Sequence, residues 1–321
     1  MNIVTELEAI TEPLENAVIT IGNFDGVHIG HQVLFHPVIE KAQAIKGTAV
    51  AMTFDPHPMR VLAPDNHPPL ITLTEQKAEL IAKAGIDVLI CIPFTREFAA
   101  ISARAFVKDL LMDRIGMRAM VVGRDYSFGQ NREGNLALLR QWTGELGFEV
   151  LVVDWVQGAD NPDHRISSTH IRELVMNGLM EEARKMMGRP YQIRGVVAAG
   201  RNRGGRLLGF PTANIRLQDE LCPKEGIYAV TVEHGGRTYP GVANIGYSPT
   251  FDDHLFTVEV HILDFKKDIY NDPIRVNFIQ RLRDEIKFDR IDALAAQIHK
   301  DVASAREILA DAMWIDPEML R

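Results

Sequence analysis

Five apolar, β-branched runs, alternating with stretches of helical spacing, constrain the first half of this chain more than any other feature. The runs are AVITIG (17–22), TAVAMTF (48–54), IDVLICIPF (86–94), MRAMVVG (117–123) and FEVLVVD (148–154). Candidate helices lie between them, near 30–45, 75–84, 102–115 and 134–146. Strands that are apolar almost throughout and separated by helices are typical of a parallel sheet covered on both faces. We therefore predict a doubly wound α/β domain.

The pattern changes near residue 190 to closely spaced strands punctuated by glycine and proline. Gly235 and Gly236 lie between two strand patterns, which predicts a hairpin, and the spacing predicts a small antiparallel barrel or a sandwich. Residues 170–187 are typical of two short helices broken near Gly178, and 290–312 of an amphipathic helix. We therefore place the domains at 1–187 and 188–321.

Bulk composition narrows the class of partner. The 321 residues exceed the usual span of one domain, and 46% of them are hydrophobic. The net charge of -8 argues against a large nucleic-acid surface, so we expect small-molecule partners. No run approaches the ~20 apolar residues that span a bilayer, and two cysteines make no disulfide framework. We expect a cytoplasmic protein without membrane or nucleic-acid partners, and leave a homo-oligomer open.

The string GNFDGVHIGH (22–31) follows the first of the five apolar runs. In an open α/β sheet, ligands collect beyond the carboxyl ends of the strands, where helix N-termini offer unpaired N–H groups to anions. Spacing of i and i+3 puts His28 and His31 on one side of the first helical turn, and Gly30 leaves room for close approach. The string predicts a phosphate site; the alternative is that the histidines only cap or pack the helix start.

Other strand ends carry polar residues toward the same edge. TFDPHP follows the second run with Asp55 and His57, and VGRDYSFGQNREG follows the fourth. These residues could belong to a binding site. The structural alternatives are a rigid turn with a solvent-facing His57, and core packing for Phe128 in the second of these strings. RISSTHIR (165–172) opens a helix with hydroxyl groups, a pattern that is first of all a capping signal.

Two strings together resemble a known family. GNFDGVHIGHQ is similar to the HxGH signature of α/β nucleotidyltransferases, which have a Rossmann-like fold. GRLLGFPTANI (205–215), followed by GIYAV, GVANIGYSPTF and EVHILDF, is similar to the riboflavin kinase module. Joined in this order, the halves resemble the bacterial bifunctional riboflavin kinase and FMN adenylyltransferase family, the FAD synthetases. The resemblance covers nearly the whole chain.

For the first half, the resemblance implies transfer of AMP from ATP to FMN, giving FAD and pyrophosphate. His28 and His31 would act on the phosphates. The residues implied in ATP or phosphate binding are Asn23, Phe24, Asp25, Gly30, Ser167, Ser168, Thr169 and Arg172. Those implied on the FMN side are His57, Asp125, Phe128 and Arg132.

For the second half, the resemblance implies an α-helix-covered β-barrel that transfers the γ-phosphoryl group of ATP to riboflavin with Mg²⁺. FTVEVHIL alternates, so its polar face is by default a solvated one, but Glu259 matches the family's catalytic base. Thr212 and Asn214 would hold Mg²⁺ through the ATP phosphates. The remaining residues implied for ATP and flavin are Gly205, Arg206, Gly209, Pro211 and Asn244.

Three loop departures separate this chain from the common family pattern. GRNRGGR around Gly204–Arg206 is about one residue longer, Asp252 follows PTF where glycine is usual, and Asn271 stands where glycine is expected after the tyrosine. Three hypotheses follow: a bifunctional enzyme, an enzyme that retains one of the two activities, and a flavin-binding module without turnover.

Overall fold

The computed structural model describes residues 1–158, 161–198, 210–217, 219–247 and 256–312. The chain divides into two compact units, Met1–Ser168 and Thr169–Arg321. The helix pair predicted over 170–187 groups with the second unit in this division. The domain boundary near 187 stays a prediction.

The first unit is built on a parallel sheet of six strands, in the order β1-β4-β3-β2-β5-β8. The strands are β1 (Asn2–Val4), β2 (Ala17–Ile21), β3 (Ala49–Phe54), β4 (Val88–Ile92), β5 (Met117–Gly123) and β8 (Glu149–Val153). All five predicted strands are confirmed. The edge strand β1 was not predicted, because three residues are too few to display a period.

Helices cover both faces of this sheet, which confirms the doubly wound prediction. On one face, α1 (Ile29–Ala44) and α3 (Thr74–Lys83) pack on alternate residues of the strands. On the other, a π-helix (Phe106–Arg114) and α6 (Leu136–Leu146) pack on the intervening residues. Apolar side chains are therefore needed at every strand position, which is why the runs are continuous rather than alternating.

Short elements fill the connections of the first unit. The helical ones are α2 (Pro58–Leu62), α4 (Arg96–Ala99), α5 (Ala103–Ala105) and two 3₁₀ turns, Leu7–Ala9 and Gln130–Arg132. The strand pairs are β6 (Ser127–Phe128) with β7 (Gly134–Asn135), and β9 (Gln157–Gly158) with β10 (Asn161–Arg165).

The second unit contains a closed antiparallel barrel in the order β11-β12-β15-β14-β13-β16. Its strands are β11 (Tyr191–Ala198), β12 (Ala213–Arg216), β13 (Gly226–His234), β14 (Arg237–Tyr247), β15 (Phe256–Ile262) and β16 (Pro273–Arg283). Because the sheet closes on itself, the second unit is the predicted barrel and not the alternative sandwich. The predicted hairpin is a two-residue turn in which Gly235 and Gly236 have φ of 56° and 73°.

The helix pair predicted over 170–187 and the C-terminal helix predicted over 290–312 are both confirmed as helices. α7 (Ser168–Met176) and α8 (Met180–Met187) are separated at Gly178, and a C-terminal helix covers Ile291–Ala312. This helix lies on the outside of the barrel, where Ala305 and Leu309 pack on Ala229 and Ile279. Arg283 and Asp301 form a two-pronged ion pair, with Nε–Oδ1 and Nη2–Oδ2 distances of 2.9 and 2.6 Å, and so hold the helix against β16.

Candidate active sites

The loop between β2 and α1 lies at the topological switch point of the sheet, where β2 has β3 on one side and β5 on the other. Three of its residues have left-handed backbone: Phe24 (φ 46°), Gly26 (φ 86°) and Val27 (φ 38°). A β-branched residue such as valine rarely adopts this conformation, so the surrounding structure must impose it.

Asp25 is the anchor of this loop. Its buried carboxylate accepts hydrogen bonds from the backbone N–H groups of Ile71 and Thr72, both at 3.0 Å, and from the Thr72 hydroxyl group. The same hydroxyl oxygen accepts the Gly26 N–H at 3.0 Å. Asp25 therefore shapes the turn through its bonds to the segment that precedes α3.

His28 and His31 lie face to face at the start of α1. Their ring centroids are 3.6 Å apart with planes inclined by 18°, and His28 occupies the N-cap position. Phe24 is buried and meets His31 edge-on at 5.3 Å. A Cβ on Gly30 would lie 3.1 Å from the His28 ring and 3.4 Å from the Ile166 carbonyl oxygen. A side chain at position 30 would therefore crowd the His28 ring, and glycine avoids this contact.

The hydroxyl-rich string 165–172 is tied to the same loop. Ser168 donates a hydrogen bond from Oγ to the carbonyl oxygen of Asp25 at 2.9 Å, and Ser167 beside it is half-buried. Ser168 begins α7, and Thr169 and Arg172 follow within that helix. Two strings more than a hundred residues apart in sequence thus meet at Asp25 and Ser168.

A buried lysine that the sequence reasoning missed lies behind the loop. Lys77 on α3 is 3% exposed, and its ammonium lies 3.4 Å from Thr53 Oγ1. Thr53 donates in turn to the carbonyl oxygen of Asn23, whose side chain is exposed. Burial lowers the pKa of Lys77, against the opposing charge of Asp25. The sequence did carry a signal for this burial, because Lys77 lies four residues before the core residue Ile81 and so shares its face of the helix.

His57 lies beyond the carboxyl end of β3. It follows a cis Asp55–Pro56 peptide bond and caps α2, accepting the Met59 N–H at Nδ1 over 3.2 Å. The imidazole is 7% exposed, so it is not the solvent-facing side chain of the structural alternative. Because Nδ1 accepts this bond, the proton of the neutral imidazole is on Nε2.

Asp125 belongs to an exposed cluster beyond the ends of β5 and β8. Arg165 donates to its Oδ2, and the Trp155 indole N–H donates to Oδ1 at 3.4 Å. Burial raises the pKa of Asp125, but the hydrogen bonds from Arg165 and Trp155 outweigh it and bring the pKa below the ordinary value. Asp125 is therefore a carboxylate at neutral pH.

Phe128 and Arg132 differ in exposure to solvent: Phe128 is buried and Arg132 is exposed. Phe128 is 7% exposed in the sheet core, stacked on Tyr126 at 5.3 Å and close to Phe106. Core packing thus describes Phe128. Arg132 is exposed, and its Nε donates to Ser127 Oγ at 2.8 Å.

In the barrel, three of the predicted residues form one row across neighbouring strands. Asn214 on β12 pairs with Glu259 on β15, and Glu259 pairs with Asn244 on β14. Val258 and Val260 fill the interior, so the row faces outward and Glu259 is half-buried. The predicted alternation of β15 is confirmed.

The environment of Glu259 favours its protonated form more than water does. Burial, and then the nearby carboxylate of Glu285, raise the pKa of Glu259. Glu285 lies over Gly246, where a Cβ would come within 2.5 Å of its Oε1. The side-chain oxygen of Asn244, Oδ1, is buried and has no hydrogen-bond partner among the described residues.

A cavity of about 290 Å³ is lined by the buried side chains of Ala213, Val260 and Ile262, which lie on the opposite face of their strands from this row. Pro211, Thr212 and Val260 line one side, and the segment 265–270, with Lys266 and Lys267, lines the other. Sequence reasoning missed this lysine pair. Gly205, Arg206 and Gly209, as well as Asp252, lie outside the described residues.

The departure at Asn271 has a backbone explanation. Asn271 adopts a φ of 66°, the left-handed conformation that glycine takes without cost and that asparagine tolerates better than most residues. Its N–H donates to the Val197 carbonyl oxygen at 2.9 Å. Asparagine therefore preserves the turn that a glycine would make.

Comparisons with known proteins agree with both halves. Residues 10–170 match the FAD synthetase family, and residues 187–309 match the riboflavin kinase family. Bifunctional riboflavin kinase/FMN adenylyltransferases are similar to this chain in Listeria monocytogenes, at 41% identity over 92% of this chain and 93% of that protein, and in Escherichia coli K12, at 38% over 92% and 93%.

A solved structure matches almost the whole chain. The crystal structure described as a macrolide-efflux protein from Streptococcus pneumoniae has a TM-score of 0.85 and 32% identity, covering 95% of this chain and 98% of that one. Within the part of this chain that the structure describes, no helix has the length and apolar character to cross a membrane. The chain belongs to the family of bifunctional riboflavin kinases and FMN adenylyltransferases, with a FAD synthetase domain followed by a riboflavin kinase domain.

Proposed function

We propose that this enzyme converts riboflavin to FMN in its second domain and FMN to FAD in its first, using one ATP for each step. The observation that carries the proposal is that both sets of reactive side chains are in place in one chain. His28 and His31 stack at a helix N-terminus at the sheet's switch point, and Glu259 lies in the outward row of the barrel. These placements argue against a silent barrel and against a flavin-binding module without turnover.

Adenylyl transfer requires alignment and charge stabilisation more than a protein nucleophile. A phosphate oxygen of FMN attacks the α-phosphorus of ATP, the bond from that phosphorus to the bridging α–β oxygen breaks, and pyrophosphate leaves. His28 and His31 stabilise the charge that develops, together with the N–H groups at the start of α1. Further ATP contacts are assigned to Asn23, Gly30, Ser167, Ser168, Thr169 and Arg172, while Phe24 and Asp25 hold the loop.

The FMN side of this site is assigned to the ends of β3 and β5. His57 and Arg132 are suited to the FMN phosphate, because an imidazole N–H and a guanidinium both donate to anionic oxygen. Asp125 accepts from the flavin's polar edge, and Phe128 supports that surface from the core.

Phosphoryl transfer in the barrel uses a side-chain base. Glu259 accepts the proton of the ribityl 5′-hydroxyl group as its oxygen attacks the γ-phosphorus of ATP, and ADP leaves. Asn244 orients the flavin hydroxyl groups. Lys266 and Lys267, on the wall of the cavity, suit the ATP phosphates.

Mg²⁺ is the metal that this chemistry implies. Thr212 and Asn214 share one face of an extended segment, since Ala213 between them is buried, and they offer the oxygen ligands that a hard cation prefers. Bound there with the ATP phosphates, Mg²⁺ would neutralise charge on the transferring group. Pro211 stiffens this segment, and Gly205, Arg206 and Gly209 are assigned to the same phosphates by resemblance.

The cellular setting is also proposed. We place the enzyme in the cytoplasm as a protein of small-molecule substrates, without nucleic-acid partners, and leave open whether it forms a homo-oligomer. The net charge of -8 and two unpaired cysteines support this setting.

Chromatography of flavins tests the proposal directly. The protein is incubated with riboflavin, ATP and Mg²⁺, and in parallel with FMN, ATP and Mg²⁺. We expect FMN and FAD in the first reaction and FAD in the second. FAD only from added FMN would mean a silent barrel, and no product in either reaction would favour the binding module.

A further inference from the structure

An exposed tryptophan lies at the ligand edge of the first domain. Trp155 follows β8 by two residues and is 53% exposed, whereas Trp142 in the same unit is a core residue. Burying an indole ring removes a large apolar area from water, so an exposed one forgoes that stabilisation. Its position beyond the carboxyl end of β8, next to β5, is where open α/β sheets bind ligands.

The indole is held in a fixed orientation. Its N–H donates to Asp125 Oδ1 at 3.4 Å, and the Arg165 guanidinium carbon lies 5.2 Å from the ring centroid. Arg165 also donates to Asp125, so the three side chains brace one another. A ring that is exposed yet braced on its edge and on one face is preorganised for contact with another flat group.

The other aromatic rings described near this edge are less available. Phe54, Phe94 and Phe98, beyond β3 and β4, are half-buried and pack on one another. Tyr126 and Phe128 stack on each other, and Phe128 is a core residue. Phe24 is buried against His31. Trp155 is thus the aromatic side chain that the described part of this edge presents most openly.

We propose that Trp155 is a ring-stacking residue of the adenylyltransferase site, which binds the flat aromatic ring of a nucleotide substrate. The inference rests on the proposed function, because that function supplies two such rings, the adenine of ATP and the isoalloxazine of FMN. Stacking on an indole recognises both through their π-faces. Arg165 and Asp125 position the indole.

Steady-state kinetics of FAD formation, with ATP and FMN varied separately, tests this role in the full chain. We expect Trp155→Ala to raise KM for one of the two substrates by about tenfold with kcat little changed, and Trp155→Phe to stay within about threefold of wild type. The substrate whose KM rises identifies the ring that stacks. Ile3→Ala is the matched control, since Ile3 is also 53% exposed but lies on β1 at the opposite edge of the sheet.

Both KM values within about twofold of wild type in Trp155→Ala would overturn the proposal. An equal rise in Trp155→Phe and Trp155→Ala would overturn it in favour of the indole N–H. Quenching of tryptophan fluorescence by ATP alone or FMN alone, smaller in Trp155→Phe than in wild type, gives a readout that needs no turnover. A wild-type protein that makes no FAD would refute the proposed function while leaving this binding readout intact.

Discussion

The two candidate sites of this chain differ in backbone structure: the first lies on an irregular loop and the second on regular β-strands. In the first domain, His28 and His31 follow a loop with three left-handed residues. Hydrogen bonds to other segments hold that loop: the Ile71 N–H donates to the Asp25 carboxylate, and the Thr53 hydroxyl group donates to the Asn23 carbonyl oxygen. In the barrel, Asn214, Glu259 and Asn244 sit on regular strands, and the register alone aligns them. From this comparison we expect the first site to depend on residues outside the catalytic motif, such as those that hold its loop, and the second to depend mainly on the row residues themselves.

Glu259→Gln is expected to give the largest effect. Loss of a general base lowers rates by about 10²- to 10⁴-fold, so FMN formation from riboflavin should fall in that range. FAD formation from FMN should be unchanged, because the substitution keeps the shape and lies on a different domain. Separate assays of the two half-reactions measure this, and a parallel loss of both activities in folded protein would contradict the division into two sites.

His31→Ala is the reciprocal change in the first domain. Removal of one donor to developing charge costs about 10²- to 10³-fold, which predicts a loss of that size in FAD formation. His31→Gln, which retains a donor, should recover part of the rate. Riboflavin phosphorylation in the same preparation is the control, and a normal FAD rate in His31→Ala would remove the histidine from the mechanism.

The fold could be predicted because both domains repeat simple periods. Continuous apolar runs distinguish the two-sided sheet, and alternation distinguishes β15, where Val258 and Val260 point inward. Strand β1 could not be found this way, since three residues cannot show a period. Closure of the barrel is a property of paired edges, which no single strand encodes.

The sites were predictable to the extent that their residues follow a motif. His28 and His31 lie within a contiguous string, whereas Lys77 is linked to the loop through Thr53, and that link exists only after folding. Phe128 shows the same limit, because the sequence left core packing and a place on the FMN side as alternatives, and its burial in the core is a property of the folded chain. Trp155 was overlooked because it belongs to no string, and its exposure is a property of the folded chain.

Asp25→Asn tests whether the first site depends on the residue that holds its loop, and we expect an effect of intermediate size on FAD formation. The amide keeps the volume but loses one acceptor oxygen, so a hydrogen bond to Ile71 or Thr72 is weakened and a buried donor is left poorly paired. That costs about 1 to 3 kcal/mol in the free energy of unfolding of the first domain. FAD formation should fall by about tenfold as the loop loosens, with FMN formation unchanged.

Asp113→Asn is the matched control for this prediction. Asp113 forms an exposed ion pair with Lys108 in the same domain, and such pairs contribute about 0 to 1 kcal/mol. Thermal unfolding and FAD formation compare the two variants. Equal and small effects in both would show that the loop does not need its buried anchor, and the contrast between the two domains would disappear.

Glu285→Gln is expected to give the smallest effect, a shift along the pH axis. Burial, and then the charge of Glu285, raise the pKa of Glu259, and a base acts only when it is deprotonated. Removal of a like charge favours the carboxylate, so the pKa of Glu259 falls and the acid limb of kcat/KM for FMN formation moves to lower pH. Because burial remains, only part of the shift should be reversed.

Whether the acid limb moves at all distinguishes an electrostatic effect of Glu285 from a packing effect. A lower rate at every pH with an unmoved acid limb would mean that Glu285 serves through its contact over Gly246. Glu285→Asp is the informative companion, because it keeps the charge and should leave the limb near its wild-type position. FAD formation from FMN, followed across the same pH range, should be identical in all three proteins, since that reaction uses no residue of the barrel row.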